Sequence, residues 1–256
     1  MAATLKRLNA KTAIVTGASS GIGQRSAVAL SKAGWNVVIS ARRAEALEET
    51  AKECPSSTLV VPGDVTDEGF VKKLFALTLE KYGKLDLLFN NAGIPGPKGV
   101  FDTIPLVEFK QTLDVNVTAS FLCAREAFRI FKKQDPQGGR IINNGSIAAH
   151  VPRPHTAAYA ISKHAISGLT KATALDGRPF GIACTQIDIG NACTSFGGAA
   201  SSAQGALQPD GRYVPEATFD PEHVASTIVH IASLPNEVSM LEVNIMATAA
   251  PYVGRG

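Results

Sequence analysis

The stretch Thr12-Ala13-Ile14-Val15-Thr16-Gly17-Ala18-Ser19-Ser20-Gly21-Ile22-Gly23 passes from a β-branched apolar run, through a glycine-rich turn, into a helical pattern. The run at 12–15 reads as a buried strand and 22–33 as an amphipathic helix. Glycines permit a tight turn between the two and let a pyrophosphate approach the backbone, where free N–H groups and the positive end of the helix dipole meet its charge. A glycine-rich turn alone is a weak signal. A strand before it and a helix after it, at the start of an α/β unit, is the context a dinucleotide site requires. Gly17, Ser19, Ser20, Gly21, Ile22 and Gly23 are therefore candidate cofactor-binding residues.

Outward from this turn the same alternation continues. Short apolar runs at 36–40, 58–61, 85–90, 140–144, 182–187 and 241–246 read as strands, and 44–53, 68–82, 106–131, 157–175 and 221–233 as helices. Strand and helix repeated in this way imply a parallel sheet covered on both faces, α/β and doubly wound, with ligands at the carboxyl edge of the strands. With 256 residues, 45% of them hydrophobic and 18% charged, the chain has material for one large core, and we expect a single domain over 1–256. The stretch 190–218, rich in Gly, Ala, Ser and Pro, reads as a substrate loop or as a tolerated surface insertion.

Composition narrows the function classes. The net charge is +3 and the Lys and Arg residues are scattered apart from pairs such as Arg42-Arg43, which argues against nucleic acid. The four cysteines show no Cys-x-x-Cys and the five histidines no ligand spacing, so no metal is expected and a reducing, cytoplasmic setting is the simplest reading. No run of eighteen apolar residues occurs, so neither membrane spanning nor secretion is expected.

The second strand continues Val37-Val38-Ile39-Ser40-Ala41-Arg42-Arg43, with no carboxylate at the edge where NAD's ribose 2′-OH would be held. Arginine's planar fork suits a 2′-phosphate, which favours NADP(H), with Arg42 first and Arg43 and Arg25 behind it. The alternative is that the arginines are solvated at a helix start. Asp64-Val65, after the third strand, is placed either to meet the adenine amine or to cap a helix.

Tyr159-Ala160-Ile161-Ser162-Lys163 puts a tyrosine and a lysine on one helix face. A nearby ammonium favours the phenolate, so such a tyrosine can exchange a proton with an alcohol or ketone while hydride passes to or from a cofactor. Read alone, the pair could equally be an aromatic ring packed under a lysine stem.

Thr16 to Gly23, Asp64-Val65, Asn90-Asn91-Ala92-Gly93, Asn116 in Val-Asn-Val, Ser146 after the fifth strand, and Tyr159 with Lys163 occur in this order along nearly the whole chain. Together they resemble the short-chain dehydrogenase/reductase family. The resemblance implies a Rossmann-like sheet of about seven strands and a homotetramer or homodimer. It implies an oxidoreductase acting on a small ketone or secondary alcohol, and with the NADP(H) preference read from the edge of the second strand, reduction is the direction expected in the cell. Tyr159 would be the catalytic acid/base, Ser146 would hydrogen-bond the substrate oxygen, Lys163 would lower the tyrosine pKa and hold the nicotinamide ribose, and Asn116 would bind a relay water. Asn90, Asn91, Ala92 and Gly93 would line the adenosine and ribose side, and Ile189 and Thr194 the carboxamide. An NAD-preferring dehydrogenase, or a regulator that binds a dinucleotide without chemistry, are the alternatives.

Two departures stand out against the family. Asp188-Ile189-Gly190 replaces the usual Asn-Pro-Gly, and the usual Asp-Gly-Gly after the last strand is missing. Phe101, Ile147, Val151, Phe196 and Tyr213 are candidates for an apolar pocket, Arg153 and Arg212 for an anionic group, and His150 and His155 border the substrate or sit in an exposed loop.

Overall fold

Seven parallel strands carry the chain back and forth through its core, in the computed structural model that describes residues 10–197 and 205–252. They are β1 (Thr12–Thr16), β2 (Asn36–Ala41), β3 (Thr58–Pro62), β4 (Leu87–Asn90), β5 (Gly139–Asn144), β6 (Ile182–Ile189) and, last in the chain, β9 (Glu242–Ile245). The order across the sheet is β3-β2-β1-β4-β5-β6-β9, so the direction of progression reverses between β1 and β4. That reversal opens a crevice at the carboxyl edge.

The strands are apolar almost throughout because both faces are covered. Ala13 and Val15 of β1, Val37 and Ile39 of β2 and Ile187 and Ile189 of β6 pack into one cluster with helices α1 (Gly21–Lys32), α2 (Ala44–Lys52) and α7 (Glu222–Ser233). The intervening Ile14, Val38 and Cys184 enter the opposite cluster with α3 (Glu68–Tyr82) and α5 (Ala119–Lys133). Helix α3 starts where the Asp67 carboxylate accepts the Phe70 N–H at 2.9 Å and ends at Gly83, whose φ of +74° supplies the left-handed cap.

The helix expected over 106–131 is interrupted. It runs as α4 (Leu106–Leu113), a π turn (Asp114–Thr118) and α5. The π turn carries Asn116, whose side chain bonds the backbone of Ile94, with Oδ1 accepting the N–H at 2.8 Å and Nδ2 donating to the carbonyl at 3.0 Å. Helix α6 (Ala157–Gly177) is unbroken. Within the expected loop 190–218 the chain forms a two-residue hairpin, β7 (Ala206–Leu207) with β8 (Tyr213–Val214), and Ala192 bridges to Phe219. Residues 198–204 of that loop, and the C-terminal residues 253–256, lie outside the described residues. Among the described residues no helix is long and apolar enough to cross a membrane.

Candidate active site

A cleft of about 500 Å³ follows the carboxyl edge at the reversal point, from Arg42, Asp64 and Val65 at one end to Tyr159 and Lys163 at the other. The glycine turn forms its floor. A Cβ on Gly17, whose φ is +65°, would fall 2.9 Å from the Cα of Ala92, and one on Gly23 would fall 2.4 Å from the Gly17 carbonyl oxygen. Gly21 has a φ of +58°, with its nearest neighbour, Thr194, at 3.7 Å. Ser20 occupies the N-cap of α1 without a side-chain cap hydrogen bond. The first N–H groups of that helix are thus left to a ligand, and the cradle fits a diphosphate.

The hydroxyls of Ser19 and Ser20 instead accept from Nη2 of Arg43, at 3.1 and 3.0 Å. Arg43 therefore lies across the turn, while Arg42 lines the cleft mouth with no hydrogen bond or ion pair among the described residues. Arg25 is removed from candidacy, being paired with Glu222 of α7 at 2.6 Å. Asp64 lines the cleft as well, and its Oδ1 accepts from the N–H and hydroxyl of Thr66 at 2.9 and 2.8 Å, the helix cap being Asp67. Val65, Asn91, Ala92, Gly93, Ile189 and Thr194 all line the cleft. Asn90 does not belong with them: it is buried behind the sheet edge, donating to Asn143 Oδ1 and the Ser120 carbonyl at 3.0 Å each.

Side-chain amides tie the turn to the far end of the cleft. Asn91 Nδ2 donates to the carbonyls of Thr16 and Gly17 at 3.0 and 3.3 Å, and its Oδ1 accepts from Asn144 Nδ2 at 2.8 Å. The Asn144 carbonyl in turn accepts from Lys163 Nζ at 2.7 Å.

Tyr159 and Lys163 share one face of α6, with Nζ 5.5 Å from the phenol ring centroid. Burial pushes Lys163 down to about 8, and pushes Tyr159 up to about 12 although the Ser146 hydroxyl and Arg153 pull it the other way. Among the protein's own groups the phenol is thus held protonated, the reverse of the direction expected from the neighbouring ammonium. Ser146 opens a 3-10 turn (Ile147–Ala149) and its oxygen accepts from the Ala148 N–H at 3.1 Å, which leaves the hydroxyl proton to be given away. The side chain of Asn116, the residue expected to bind a relay water, bonds the backbone of Ile94 and, at 3.0 Å, Ser162 Oγ.

A family model described as short chain dehydrogenase matches residues 11–205. The chain belongs to that family. A 3beta-hydroxysteroid dehydrogenase of Mediterraneibacter gnavus is 40% identical over 184 residues, 71% of this chain and 66% of the relative, so the match spans just under two thirds of that protein's length. A 3-oxoacyl-(acyl-carrier-protein) reductase of Synechocystis sp. is 31% identical over 233 residues, 89% of this chain and 91% of the relative. Among solved structures, an actinorhodin polyketide ketoreductase with NADPH gives a TM-score of 0.83 at 28% identity, covering 96% of this chain and 99% of that one. A 3-ketoacyl-(acyl-carrier-protein) reductase from Brucella melitensis complexed with NADH gives 0.82 at 28%, covering 94% and 99%.

Where this short-chain dehydrogenase departs from its family's pattern, the structure supplies side chains that motif reading passed over. β6 continues through Ile189, which pairs with Ile245 of β9, so the strand needs no proline to hold its end. Asp188 is fully buried and accepts the Ser146 N–H at 2.8 Å. Arg153 and Arg212, expected to meet an anionic group, are engaged by Glu216 and Asp210. Glu216 also accepts from Asn191 at 2.8 Å and from Gln208 at 3.0 Å, tying the strand-β6 loop to the hairpin. Of the expected apolar wall only Phe196 lines the cleft, with its ring centroid 6.1 Å from that of Tyr159. Phe101 and Tyr213 point outward at 77% and 53% exposure, and Ile147 is buried. His155 sits exposed at a φ of +61°. A carboxylate inside the buried run 182–189 was the signal available in the sequence for Asp188.

Proposed function

We propose that this short-chain dehydrogenase is an NADP(H)-dependent oxidoreductase that interconverts a ketone and a secondary alcohol, working as a reductase. The observation that carries this reading is a single cleft joining a phosphate-cradling glycine turn to a buried Tyr159–Lys163 pair. The bound nicotinamide supplies the hydride, or accepts it in the reverse direction. Tyr159 gives the proton to the carbonyl oxygen, and a phenol held up at about 12 is present as that acid throughout the neutral range. Ser146 donates its hydroxyl proton to the same oxygen and so fixes the carbonyl against the tyrosine. Lys163 holds the ribose and returns a proton toward Tyr159, and Asn116 holds the π turn that closes this end of the cleft.

NADP(H) is preferred on three grounds: the edge of β2 carries no carboxylate, Arg42 is unpartnered among the described residues at the cleft mouth, and Arg43 stands behind it over Ser19 and Ser20. The substrate is a small carbonyl or alcohol compound, admitted beside Phe196 in a single catalytic and dinucleotide-binding domain. Leu106 and Val107 of α4, exposed at 65% and 73%, and Phe121 of α5 at 47%, suit a homodimer or homotetramer.

The test is fluorescence titration with NADPH and NADH of wild type and Arg42→Ala, beside turnover of a ketone panel by wild type and Tyr159→Phe. Tighter NADPH binding that Arg42→Ala erases, and turnover that Tyr159→Phe abolishes, are expected. Equal binding of both nucleotides overturns the NADP assignment, and binding without any turnover overturns the enzymatic one.

A further inference from the structure

Asp188 is a carboxylate with no exposed surface in the middle of the catalytic neighbourhood, and four other residues are arranged around it. Its strand alternates: Ile187 and Ile189 enter the cluster under α1 and α7, so Asp188 faces the other way, toward α6, which bears Tyr159 and Lys163. Oδ1 accepts the Ser146 N–H at 2.8 Å. The Gln186 amide donates to both oxygens at 2.8 and 3.0 Å, and His150 Nε2 lies 2.8 Å from Oδ2. A Cβ on Gly145 would fall 2.0 Å from Oδ1, so the residue before Ser146 is one that lets the carboxylate rest on its backbone. His150, its side chain 32% exposed, connects the fully buried carboxylate with solvent.

We propose that Asp188, clamped by Gln186 and His150 and seated on Gly145, is a positioning residue of this catalytic centre: it fixes the backbone of Ser146 and keeps a negative charge behind Tyr159 and Lys163. The proposal rests on the assignment of those three residues made above. A buried carboxylate is tolerable only where donors surround it, and here the Ser146 N–H and the Gln186 amide donate, with His150 joining them when Nε2 carries a proton. The titratable groups that feel its charge are His150, which bonds it from the turn after β5, Tyr159 and Lys163 of α6, and Tyr252 of the C-terminal segment, while the Arg153 charge acts on Tyr159 in the opposite direction. Its charge favours the protonated forms of Tyr159, Lys163 and Tyr252 alike, partly offsetting burial at Lys163 and adding to it at both tyrosines. In this chain the charge clamp stands where the family's Asn-Pro-Gly stiffens the same loop.

The experiment compares wild type with Asp188→Asn, which keeps the shape and the acceptor for Ser146 but removes the charge. The titration of Lys163 is followed by NMR of its side-chain methylene, assigned with Lys163→Arg, and kcat/KM is followed against pH with NADPH and the best ketone of the panel. Both the Lys163 midpoint and the alkaline limb of the profile should move to lower pH, by on the order of one unit for the loss of one buried charge. An unmoved Lys163 midpoint overturns the proposal. The NMR reading requires no turnover, so it stands or falls separately from the enzymatic assignment. Should Asp188→Asn fail to fold, His150→Phe, which removes the solvent-side clamp, should lower kcat about tenfold with KM little changed, an effect of lost positioning. His150→Gln, which keeps a donor, should recover most of that loss. Wild-type kcat in His150→Phe, or equal impairment of the two variants, overturns the proposal.

Discussion

Gly23→Ala sets two effects of opposite sign against each other. Gly23 lies in the first turn of α1, where alanine is the better helix former by about 1 kcal/mol. The added Cβ would stand 2.4 Å from both the Gly17 carbonyl oxygen and Asn91 Nδ2, where ordinary contact begins at 3.4 Å. A gap of 1.0 Å (3.4 minus 2.4) must therefore open against groups that cannot swing aside, one being the backbone of the phosphate turn and the other hydrogen-bonded to it. Overpacking of this kind costs about 2 kcal/mol and the strained Asn91 bond about 1 kcal/mol more, so the variant should be less stable by about 2 kcal/mol after the helix gain. Its Tm should fall by about 6 °C and its affinity for NADPH by at least tenfold, because the displaced carbonyl reshapes the cradle. Gly168→Ala is the control: Gly168 lies within α6, exposed, with nothing within 4 Å of its added Cβ, and alanine there should stabilise by about 0.5–1 kcal/mol. Urea denaturation of both variants and a fluorescence titration of Gly23→Ala read these values. Equal or greater stability of Gly23→Ala, with unchanged NADPH binding, would refute the steric reasoning.

Lys163 is depressed in the folded state to about 8 from 10.5, so the unfolded chain binds more protons between those values and this residue's contribution to stability rises with pH across that window. Lys163→Met should therefore gain about 2 kcal/mol at pH 7, lose the slope between pH 8 and 10, and show no turnover; a variant less stable than wild type at pH 7 contradicts the burial account. Arg153→Met strips the buried Glu216 of its cation and should cost about 3 kcal/mol in urea denaturation while speeding proteolysis within 205–217; an unchanged digestion pattern would show that the pair does not hold this segment.

The fold was legible because its signals are local and repeated. Buried parallel strands read as unbroken apolar runs, and six helices showed the expected period, so boundaries fell within a few residues. The π turn was not legible: 106–131 keeps a helical pattern throughout, and the Asn116 it carries bonds Ile94, a residue 22 positions away. The glycine turn and the Tyr159–Lys163 spacing are fixed by chemistry close in sequence, and the structure brings both to one cleft. The pocket wall was misread in part because Phe101, Tyr213 and Ile147 are placed by tertiary packing that no periodicity encodes. Arg153 and Arg212 looked available for a substrate because ion pairing depends on where Glu216 and Asp210 come to rest.

The run of bonds from Thr16 and Gly17 through Asn91 and Asn144 to Lys163 has a polarity. Each asparagine presents its side-chain nitrogen to the neighbour on the turn side and is met from the side of the lysine at an oxygen, the side-chain one of Asn91 and the backbone one of Asn144. Rotating the Asn91 amide end for end would set acceptor against acceptor at the turn and donor against donor at Asn144, and rotating the Asn144 amide would set acceptor against acceptor at Asn91, so each amide is held in one orientation. None of the amides in it gains or loses a proton in ordinary buffers. The geometry between the glycine turn and Lys163 is therefore carried by groups indifferent to acidity, while the proton traffic proposed for this site would run on the phenol and the ammonium next to them. A frame that ignores pH lets the chemistry respond to it without the site changing shape.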